Sequence, residues 1–213
     1  MDHPLIPEYL MGYLDALVPP RPPEMQAMEA HAQKINFPII GPTSGYLCYQ
    51  VARMIGARRI FELGSGYGYS TAWFAKAVTE NGGGEVFHVV WDADLSSQAR
   101  QHLAALGYNG IIKYHVGEAV QTLRETPGPF DLIFNDINKE GYAASLPVIA
   151  EKLRPGGVLV VDNMLWHGNI FNEQDKSPAT TGVRALTDML IHSPDWIISL
   201  VPVRDGVVVA YKR

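Results

Sequence analysis

Three glycines at alternate positions, directly after a short apolar run, constrain this chain more than any other feature. The stretch reads Ile60-Phe61-Glu62-Leu63-Gly64-Ser65-Gly66-Tyr67-Gly68, and Ser70-Thr71 then opens a segment whose apolar residues recur at helical spacing. Glycine is needed where the backbone takes a positive φ, or where another group approaches the main chain too closely for a Cβ atom. The stretch therefore predicts a strand, a tight turn and a helix whose first N–H groups can face a ligand.

The position of the acid separates two kinds of nucleotide-like ligand. A dinucleotide site typically has Gly-x-Gly-x-x-Gly, with pyrophosphate at the helix N-terminus and no carboxylate inside the turn. Here the third glycine comes one residue early, at Gly68, and Glu62 would point a negative charge at a phosphate. A carboxylate suits a cationic ligand without phosphates, and S-adenosylmethionine is one. A dehydrogenase is therefore disfavoured, and a turn that merely connects two elements is the remaining alternative.

Size and composition indicate a globular protein. The chain has 213 residues, of which 47% are apolar and 18% charged, so we expect a single domain over residues 1–213, with residues 1–57 forming an N-terminal helical layer. The net charge of −5 argues against a nucleic-acid partner. Cys48 is the only cysteine, which favours a reducing compartment. No run approaches the ~18 apolar residues of a membrane span, so we expect a cytoplasmic protein without a membrane partner.

Apolar runs alternate with helical patterns along the rest of the chain. Strands are predicted at residues 86–91, 111–116, 130–136 and 158–163, helices lie between them, and Pro155-Gly156-Gly157 is predicted as a turn. Residues 197–203 and 207–211 predict a terminal hairpin. In the N-terminal part, helices are predicted over residues 4–18 and 24–35, and Ser44 is a candidate cap for a third helix. The alternation implies parallel strands with right-handed crossovers.

Five acids fall at or just after the C-terminal ends of the predicted parallel strands, which is the edge where open α/β sheets bind ligands. They are Glu62, Asp92, Glu118, Asp136 and Asp162. Charges gathered in this way would repel one another unless cations offset them. Asp136, Asp162 and Asn163 offer two carboxylates and an amide oxygen, which suit Mg²⁺, Ca²⁺ or Mn²⁺ and leave open positions for water and substrate.

Lys139 is a candidate general base. It follows Asp136 by three residues, close enough to face the same pocket. A bound cation would disfavour the charged form of a neighbouring lysine, which could then accept a proton near neutral pH. A solvated lysine at a helix start is an equally good interpretation of the spacing. His167 is a second candidate base, although a histidine in a loop carries no signal by itself.

Specific motifs cover the second half of the chain. They are Phe130-Asp131-Leu132-Ile133-Phe134-Asn135-Asp136-Ile137-Asn138-Lys139-Glu140-Gly141-Tyr142, Leu153-Arg154-Pro155-Gly156-Gly157 and Asp162-Asn163-Met164-Leu165-Trp166-His167-Gly168. Together with the glycine stretch and the ending Pro202-Val203-Arg204-Asp205-Gly206, they resemble the metal-dependent O-methyltransferases of the caffeoyl-CoA and catechol type. The resemblance runs from about Gly41 to the C-terminus. It implies a Rossmann-like doubly wound α/β fold with a seven-stranded sheet, mostly parallel with a C-terminal antiparallel hairpin, and a homodimer.

The same resemblance implies a set of site residues and a reaction. S-adenosylmethionine would be the methyl donor, and one divalent ion would be held by Asp136, Asp162 and Asn163. Lys139, with Asp136, would be catalytic: the lysine takes a proton from a small acceptor with vicinal hydroxyls, and the oxyanion attacks the methyl group in line. The residues expected to contact the donor are Glu62, Gly64, Ser65, Gly66, Ser70, Asp92, Glu118, Ala119, Asp136 and Asn138.

Three positions depart from the family pattern. Val90 stands where the second strand usually ends in a ribose-binding acid, so we assign that role to Asp92, two residues later. Asn138 replaces a usual aspartate, and Thr187 replaces an asparagine of the late helix. These departures keep a second function open, a binding or regulatory protein that retains the fold without catalysis. Residues 169–181 are predicted as a polar, mobile loop beside the acceptor.

Overall fold

The computed structural model describes residues 5–213, and a seven-stranded sheet forms its centre. The strands are β1 Arg59–Leu63, β2 Glu85–Val90, β3 Ile112–Val116, β4 Phe130–Asn135, β5 Leu153–Val161, β6 Trp196–Val201 and β7 Val207–Lys212. Their order across the sheet is β3-β2-β1-β4-β5-β7-β6. The first five strands are parallel, and β7 pairs antiparallel with both β5 and β6. The predicted α/β fold with its terminal hairpin is confirmed.

Helices cover both faces of the sheet, as in a doubly wound fold. They are α1 Glu8–Leu17, α2 Pro23–Ile35, α3 Gly41–Met54, α4 Tyr69–Glu80, α5 Ala93–Ala105, α6 Ala119–Glu125, α7 Tyr142–Lys152 and α8 Pro178–His192. Short 3-10 helices cover Asn109–Ile111, Lys139–Gly141 and Trp166–Phe171. The helices α2 to α5 pack on one face of the sheet and α6 to α8 on the other.

Alternation along each strand supplies both hydrophobic cores. Ile60 points to the layer of α2 to α5, whereas the next residue, Phe61, points to the layer of α6 to α8. Both side chains are fully buried. Because the central strands are covered on both faces, they have nearly continuous apolar sequences. This arrangement leaves the strand ends as the place where polar side chains can gather.

Two local predictions from the sequence are wrong. Pro155-Gly156-Gly157 does not form a separate turn but lies inside β5, where the pairing with β4 is irregular between Phe130 and Leu132. Ser44 does not cap α3, because the helix begins at Gly41 and the fixed φ of Pro42 starts it earlier. Ser44 is the fourth residue of α3, and its hydroxyl is buried without a hydrogen-bond partner within residues 5–213.

The N-terminal helix α1 packs only loosely on the rest of the protein. It corresponds to the helix predicted over residues 4–18, of which residue 4 lies outside the described residues. None of its residues is buried, and Tyr9, Tyr13 and Leu17 are exposed by 80%, 62% and 61%. No helix within residues 5–213 has the length and apolar character needed to cross a membrane.

Candidate active site

The three glycines after β1 all adopt left-handed backbone conformations. Gly64, Gly66 and Gly68 have φ values of 89°, 51° and 93°. A Cβ atom on Gly64 would lie 2.5 Å from the carbonyl oxygen of Asp136, which is too close for any side chain. Gly64 therefore lets the turn touch the end of β4, and this contact brings the predicted donor loop beside a predicted metal ligand.

A narrow cleft borders this glycine turn. Its lining includes five residues predicted to contact the donor, namely Gly64, Ser65, Gly66, Ser70 and Asp136, and residues 37–40 form part of its wall. A Cβ atom on Gly66 would lie 3.2 Å from the ring of Phe37, so the segment before α3 approaches the turn closely. The structure thus brings half of the predicted donor residues to one cleft.

Ser65 fastens the turn to β2. Its backbone N–H donates to the carbonyl oxygen of Val89 at 2.9 Å, and its Oγ accepts from the N–H of Val89 at 2.9 Å. Ser65 is almost completely buried. This pair of hydrogen bonds fixes the position of the turn relative to the end of β2.

Glu62 does not line the cleft, although Ser65 and Ser70, whose hydroxyls act on its carboxylate, do. It is completely buried, and its Oε2 accepts a hydrogen bond of 2.5 Å from Thr71 Oγ1. Burial, together with a smaller contribution from Asp136, raises the pKa of Glu62 to about 7 against the lowering effect of the hydroxyls of Ser70, Thr71 and Ser65. Its Oε1 has no partner within residues 5–213. A buried acceptor without a donor fits a ligand group that reaches it.

Thr71 links Glu62 to His88, and the sequence analysis missed both Thr71 and His88. Thr71 Oγ1 lies 3.1 Å from His88 Nδ1, and both residues are fully buried. Burial lowers the pKa of His88 to about 3, so its ring is neutral. The available signal was a histidine inside the apolar run of β2, because a histidine there needs a buried partner.

Lys139 is buried at the end of β4 and faces Asp136. Its Nζ donates to Asp136 Oδ1 at 2.7 Å and to the carbonyl oxygen of Ile137 at 3.2 Å, and only 8% of the residue is exposed. Nζ also lies 5.0 Å from the ring centre of Tyr142 and 5.8 Å from that of Trp166. The interpretation of Lys139 as a solvated lysine does not hold in this structure.

The carboxylates of Asp136 and Asp162 lie close enough for their negative charges to repel each other. Burial and then Asp136 raise the pKa of Asp162 to about 7, against lowering by the Asn163 N–H, Arg204 and Lys139. Burial also raises the pKa of Asp136, while Lys139 and Arg204 lower it. Two hard oxygen ligands with excess negative charge fit a divalent cation.

Asn163 supplies the third predicted ligand. It adopts a left-handed conformation with φ of 55°, and its Nδ2 donates to Asp205 Oδ2 at 3.2 Å. Because Asp205 binds the amide nitrogen, the amide oxygen of Asn163 points away from Asp205 and is available as a ligand. No cluster of three His, Cys, Asp or Glu suited to a metal occurs within residues 5–213, so a site of this kind depends on Asn163 as a ligand.

Asp205 organises the loop after β5, and the sequence analysis did not single it out. Besides Asn163, its carboxylate accepts from the N–H of His167 at 2.5 Å, and its backbone oxygen accepts from Leu165 at 2.8 Å. The neighbouring Arg204 donates to the carbonyl oxygen of Ile39 at 2.5 Å. His167, the second candidate base, exposes 71% of its side chain. The resemblance at residues 202–206 was the only signal for Asp205.

Besides Glu62, four predicted donor residues do not line the cleft. Asp92 caps α5, with Oδ1 accepting from the N–H groups of Asp94 and Leu95 at 2.7 and 3.1 Å. Glu118 caps α6 in the same way. Ala119 is the buried first residue of α6, and Asn138 is exposed before the 3-10 helix that begins at Lys139. The donor contacts of these four residues stay predictions.

The predicted loop over residues 169–181 is more ordered than its composition indicated. It includes the end of a 3-10 helix and the start of α8. The guanidinium of Arg184 donates to four of its carbonyl oxygens, those of Asn169, Ile170, Asn172 and Asp175. Asp175 accepts from Thr180 Oγ1 at 2.7 Å. The order of this segment depends on Arg184, which lies nearly two turns into α8, and no local pattern in the loop indicates that residue.

Comparison with known proteins gives consistent results. Residues 24–213 match the family model described as O-methyltransferase. A catechol O-methyltransferase of Mycobacterium tuberculosis is 31% identical over 196 residues, which is 90% of this chain and 88% of that protein. A caffeoyl-CoA O-methyltransferase of Zea mays is 28% identical over 91% of this chain and 78% of its own length. The O-methyltransferase TomG of Streptomyces achromogenes, solved in complex with SAM, has a TM-score of 0.86 and 26% identity, with 96% of each chain covered.

Proposed function

Because this chain belongs to the O-methyltransferase family and is an S-adenosylmethionine-dependent enzyme, we propose that it methylates one hydroxyl of a catechol-like small molecule with the help of a divalent cation. One observation carries the proposal. Asp136, Lys139, Asp162 and Asn163 gather at the ends of β4 and β5, and Gly64 of the glycine turn touches Asp136. A methyl donor on the turn and an acceptor at the acids would then be neighbours.

The divalent cation would be held by Asp136, Asp162 and Asn163. The donor set supports this assignment, because two mutually repelling carboxylates and an amide oxygen match the preference of Mg²⁺, Ca²⁺ and Mn²⁺ for oxygen ligands. The chemistry that such an ion supplies is positive charge, which lowers the pKa of an acceptor hydroxyl. Asp205 would orient Asn163 by holding its Nδ2.

Lys139 would act as the proton acceptor, together with Asp136. Its Nζ lies in a confined place between Asp136 and the rings of Tyr142 and Trp166. These neighbours restrict where Nζ can move, so a hydroxyl entering beside Asp136 would meet it at short range. An unprotonated Nζ would take the hydroxyl proton and keep it. The resulting oxyanion would attack the methyl group of the donor in line, so that an O–C bond forms as the S–C bond breaks and S-adenosylhomocysteine leaves.

The donor would lie across the glycine turn. Gly64, Ser65, Gly66 and Ser70 line the cleft there, and Glu62, whose Oε1 has no partner within residues 5–213, neighbours Ser65 and Ser70. The carboxylate suits the ammonium or the ribose hydroxyls of S-adenosylmethionine. Asp136 borders this cleft as well, so one acid would serve both the donor and the cation.

The acceptor would be a small aromatic molecule with vicinal hydroxyls. The names of the relatives, catechol and caffeoyl-CoA O-methyltransferases, support this class. Trp166 lies beside Lys139 and is partly exposed, so it offers a surface for an aromatic ring. Residues 169–181, held by Arg184, would form another part of the acceptor site.

The test is a methylation assay of the purified protein with S-adenosylmethionine and a panel of catechols, in the presence and absence of EDTA. We expect turnover that EDTA abolishes and that Mg²⁺, Mn²⁺ or Ca²⁺ restores. Turnover that EDTA leaves unchanged would refute the metal requirement. Tight donor binding by calorimetry without turnover of any catechol would instead favour the alternative function, a catalytically impaired binding protein.

We further propose that the chain acts as a single domain in a cytoplasmic homodimer. The exposed aromatic side chains of Tyr9 and Tyr13 on α1 support a contact with a second copy, since isolated proteins seldom expose several large apolar groups together. Light scattering on the purified protein would test this, and a monomeric mass at micromolar concentration would refute it.

A further inference from the structure

Glu62 belongs to a row of side chains that crosses the sheet and includes two further polar residues. Glu62 on β1, His88 on β2 and Tyr114 on β3 are register partners and point to the same face of the sheet. On the other side of Glu62 the row continues with Phe134, which is apolar. His88 and Glu62 are fully buried beneath α4, where Thr71 lies between them.

The distances fix the direction of the hydrogen bonds. Thr71 Oγ1 lies 2.5 Å from Glu62 Oε2, so a proton must lie between these oxygens. When Glu62 is a carboxylate, that proton belongs to Thr71. The threonine oxygen can then only accept from its other neighbour, His88 Nδ1, at 3.1 Å. His88 must therefore carry its proton on Nδ1, which leaves Nε2 bare.

We propose that His88 is a positioning residue for donor binding: through the Thr71 hydroxyl it keeps Glu62 a carboxylate and keeps Oε1 aimed at the donor. This inference rests on the proposed donor role of Glu62. The unpartnered atoms agree with it, because Oε1 of Glu62 and Nε2 of His88 are the two ends of the chain, and both lack partners within residues 5–213. Protonation of Glu62 would reverse both hydrogen bonds, so the histidine tautomer reports the state of the acid.

The first experiment reads the tautomer of His88 directly in the wild-type protein. The imidazole nitrogens are observed by ¹⁵N NMR with S-adenosylmethionine bound, and the His88 signals are assigned by their loss in His88→Asn. We expect a proton on Nδ1 and a bare Nε2. A proton on Nε2 in the donor complex would overturn the proposal, because Thr71 would then be donating to the histidine. This readout does not depend on any variant retaining donor affinity.

The second experiment measures donor affinity by calorimetry for matched substitutions. Counted from Cβ, the amide nitrogen of Asn takes the position of Nδ1, whereas that of Gln takes the position of Nε2. We expect His88→Asn to keep the Kd for S-adenosylmethionine within about threefold of wild type, and His88→Gln and His88→Leu to raise it roughly tenfold through the lost hydrogen bond. The increase should appear in KM for the donor and leave kcat nearly unchanged.

Controls separate this inference from the proposed function. His115→Leu changes a histidine of β3 whose ring stacks on Phe87, in the other layer, and should leave donor affinity as in wild type. If wild-type protein fails to bind S-adenosylmethionine, the donor assignment itself falls. If wild type binds and folded His88→Leu binds equally tightly, the role of His88 alone is overturned.

Discussion

The acids at the ends of β2 and β3 and the acids at the ends of β4 and β5 are used in opposite ways. Asp92 and Glu118 are each followed at once by an α-helix, and their carboxylates accept from the free N–H groups of its first turn. Asp136 and Asp162 are followed by irregular chain; burial raises the pKa of both, and Asp136 raises that of Asp162 further. The residues after a strand thus decide whether a terminal acid is neutralised by its own helix or left to bind something else.

This difference favours one half of the edge for the proposed cation. An N-capping carboxylate already has donors for its oxygens, and the helix dipole offsets its charge. At the end of β4 Lys139 pairs with Asp136, whereas the carboxylate of Asp162 accepts no hydrogen bond from a side chain within residues 5–213, and the Tyr142 hydroxyl donates only to its backbone oxygen. Excess negative charge is therefore confined to one half of the sheet edge.

The largest effect is expected from Asp162→Ala. Removal of one of the two crowded carboxylates should abolish the cation site and lower turnover on the order of a thousandfold or more. The measurement is the initial rate at saturating donor and Mg²⁺. Asp188→Ala, at an exposed position of α8, is the matched control and should retain full activity. Normal turnover in Asp162→Ala would show that the acids at the ends of β4 and β5 do not form a cation site needed for catalysis.

A smaller loss is expected from Lys139→Met, which removes the amine that contacts Asp136 and is proposed as the proton acceptor. Without its base the enzyme should lose roughly 10²- to 10³-fold in kcat. Donor affinity, measured by calorimetry, should change little, because Lys139 does not line the donor cleft. Lys113→Met, an exposed lysine of β3 that pairs with Glu85 at the opposite edge of the sheet, serves as the control. Retained kcat would move the base role to another residue, with His167 the next to test.

Glu62→Gln tests the acid that is neither a cap nor a member of the crowded pair. We expect donor affinity to fall about 10- to 100-fold, since a buried hydrogen bond to a charged group is lost. The same change should stabilise the folded protein at pH 8, because wild type must keep a poorly compensated carboxylate in the core. Calorimetric Kd and thermal unfolding are the measurements.

The sign of this stability effect follows from the raised pKa. Folding lifts the pKa of Glu62 from 4.5 to about 7, so between these values the folded state binds more protons than the unfolded state. The stability of wild type relative to Glu62→Gln therefore falls as pH rises through this window, by up to roughly 3 kcal/mol. The two proteins should unfold at similar temperatures near pH 4. A lower Tm for the variant at pH 8 would contradict this account.

The smallest effects are expected at Asp92, where capping and ribose binding can be separated. Asp92→Ala should lose about 1 kcal/mol of stability through the lost cap, whereas Asp92→Asn keeps the cap. Both variants should bind the donor more weakly, as the ribose prediction requires. Unchanged donor affinity in Asp92→Asn would show that Asp92 only caps α5 and does not bind the donor. The acid at the end of β2 would then have a purely structural role, in contrast to the acids at the ends of β4 and β5.

Much of the fold could be predicted from the sequence because its signals are local. Alternating strand and helix patterns, the three glycines with positive φ and the terminal hairpin all follow from periodicity and turn residues. The failures are tertiary in origin. Pro155-Gly156-Gly157 lies within β5 because the residues on either side, Leu153 and Val158, both pair with β4. Ser44 lies within a helix that begins earlier, at Gly41.

The site was predicted in part for the same reason. Asp136 and Lys139 are three residues apart, so one motif places them together. Thr71 and His88 come from separate elements and meet only through packing of α4 on the sheet. Asp205 is 42 residues from Asn163, and no local pattern predicts their contact. Side chains that support other side chains across such separations leave little trace in a single sequence.

The loop between β6 and β7 sets the time at which the site is completed during synthesis. Arg204 fastens the segment before α3 through Ile39, 165 residues earlier in the chain, and Asp205 fastens the loop after β5. A ribosome must therefore have passed Arg204 and Asp205 before the segment ahead of α3 or the loop after β5 is secured by these contacts. Contacts of such long separation form late in folding, so a nascent chain would carry the glycine turn and its acids for some time without a finished site.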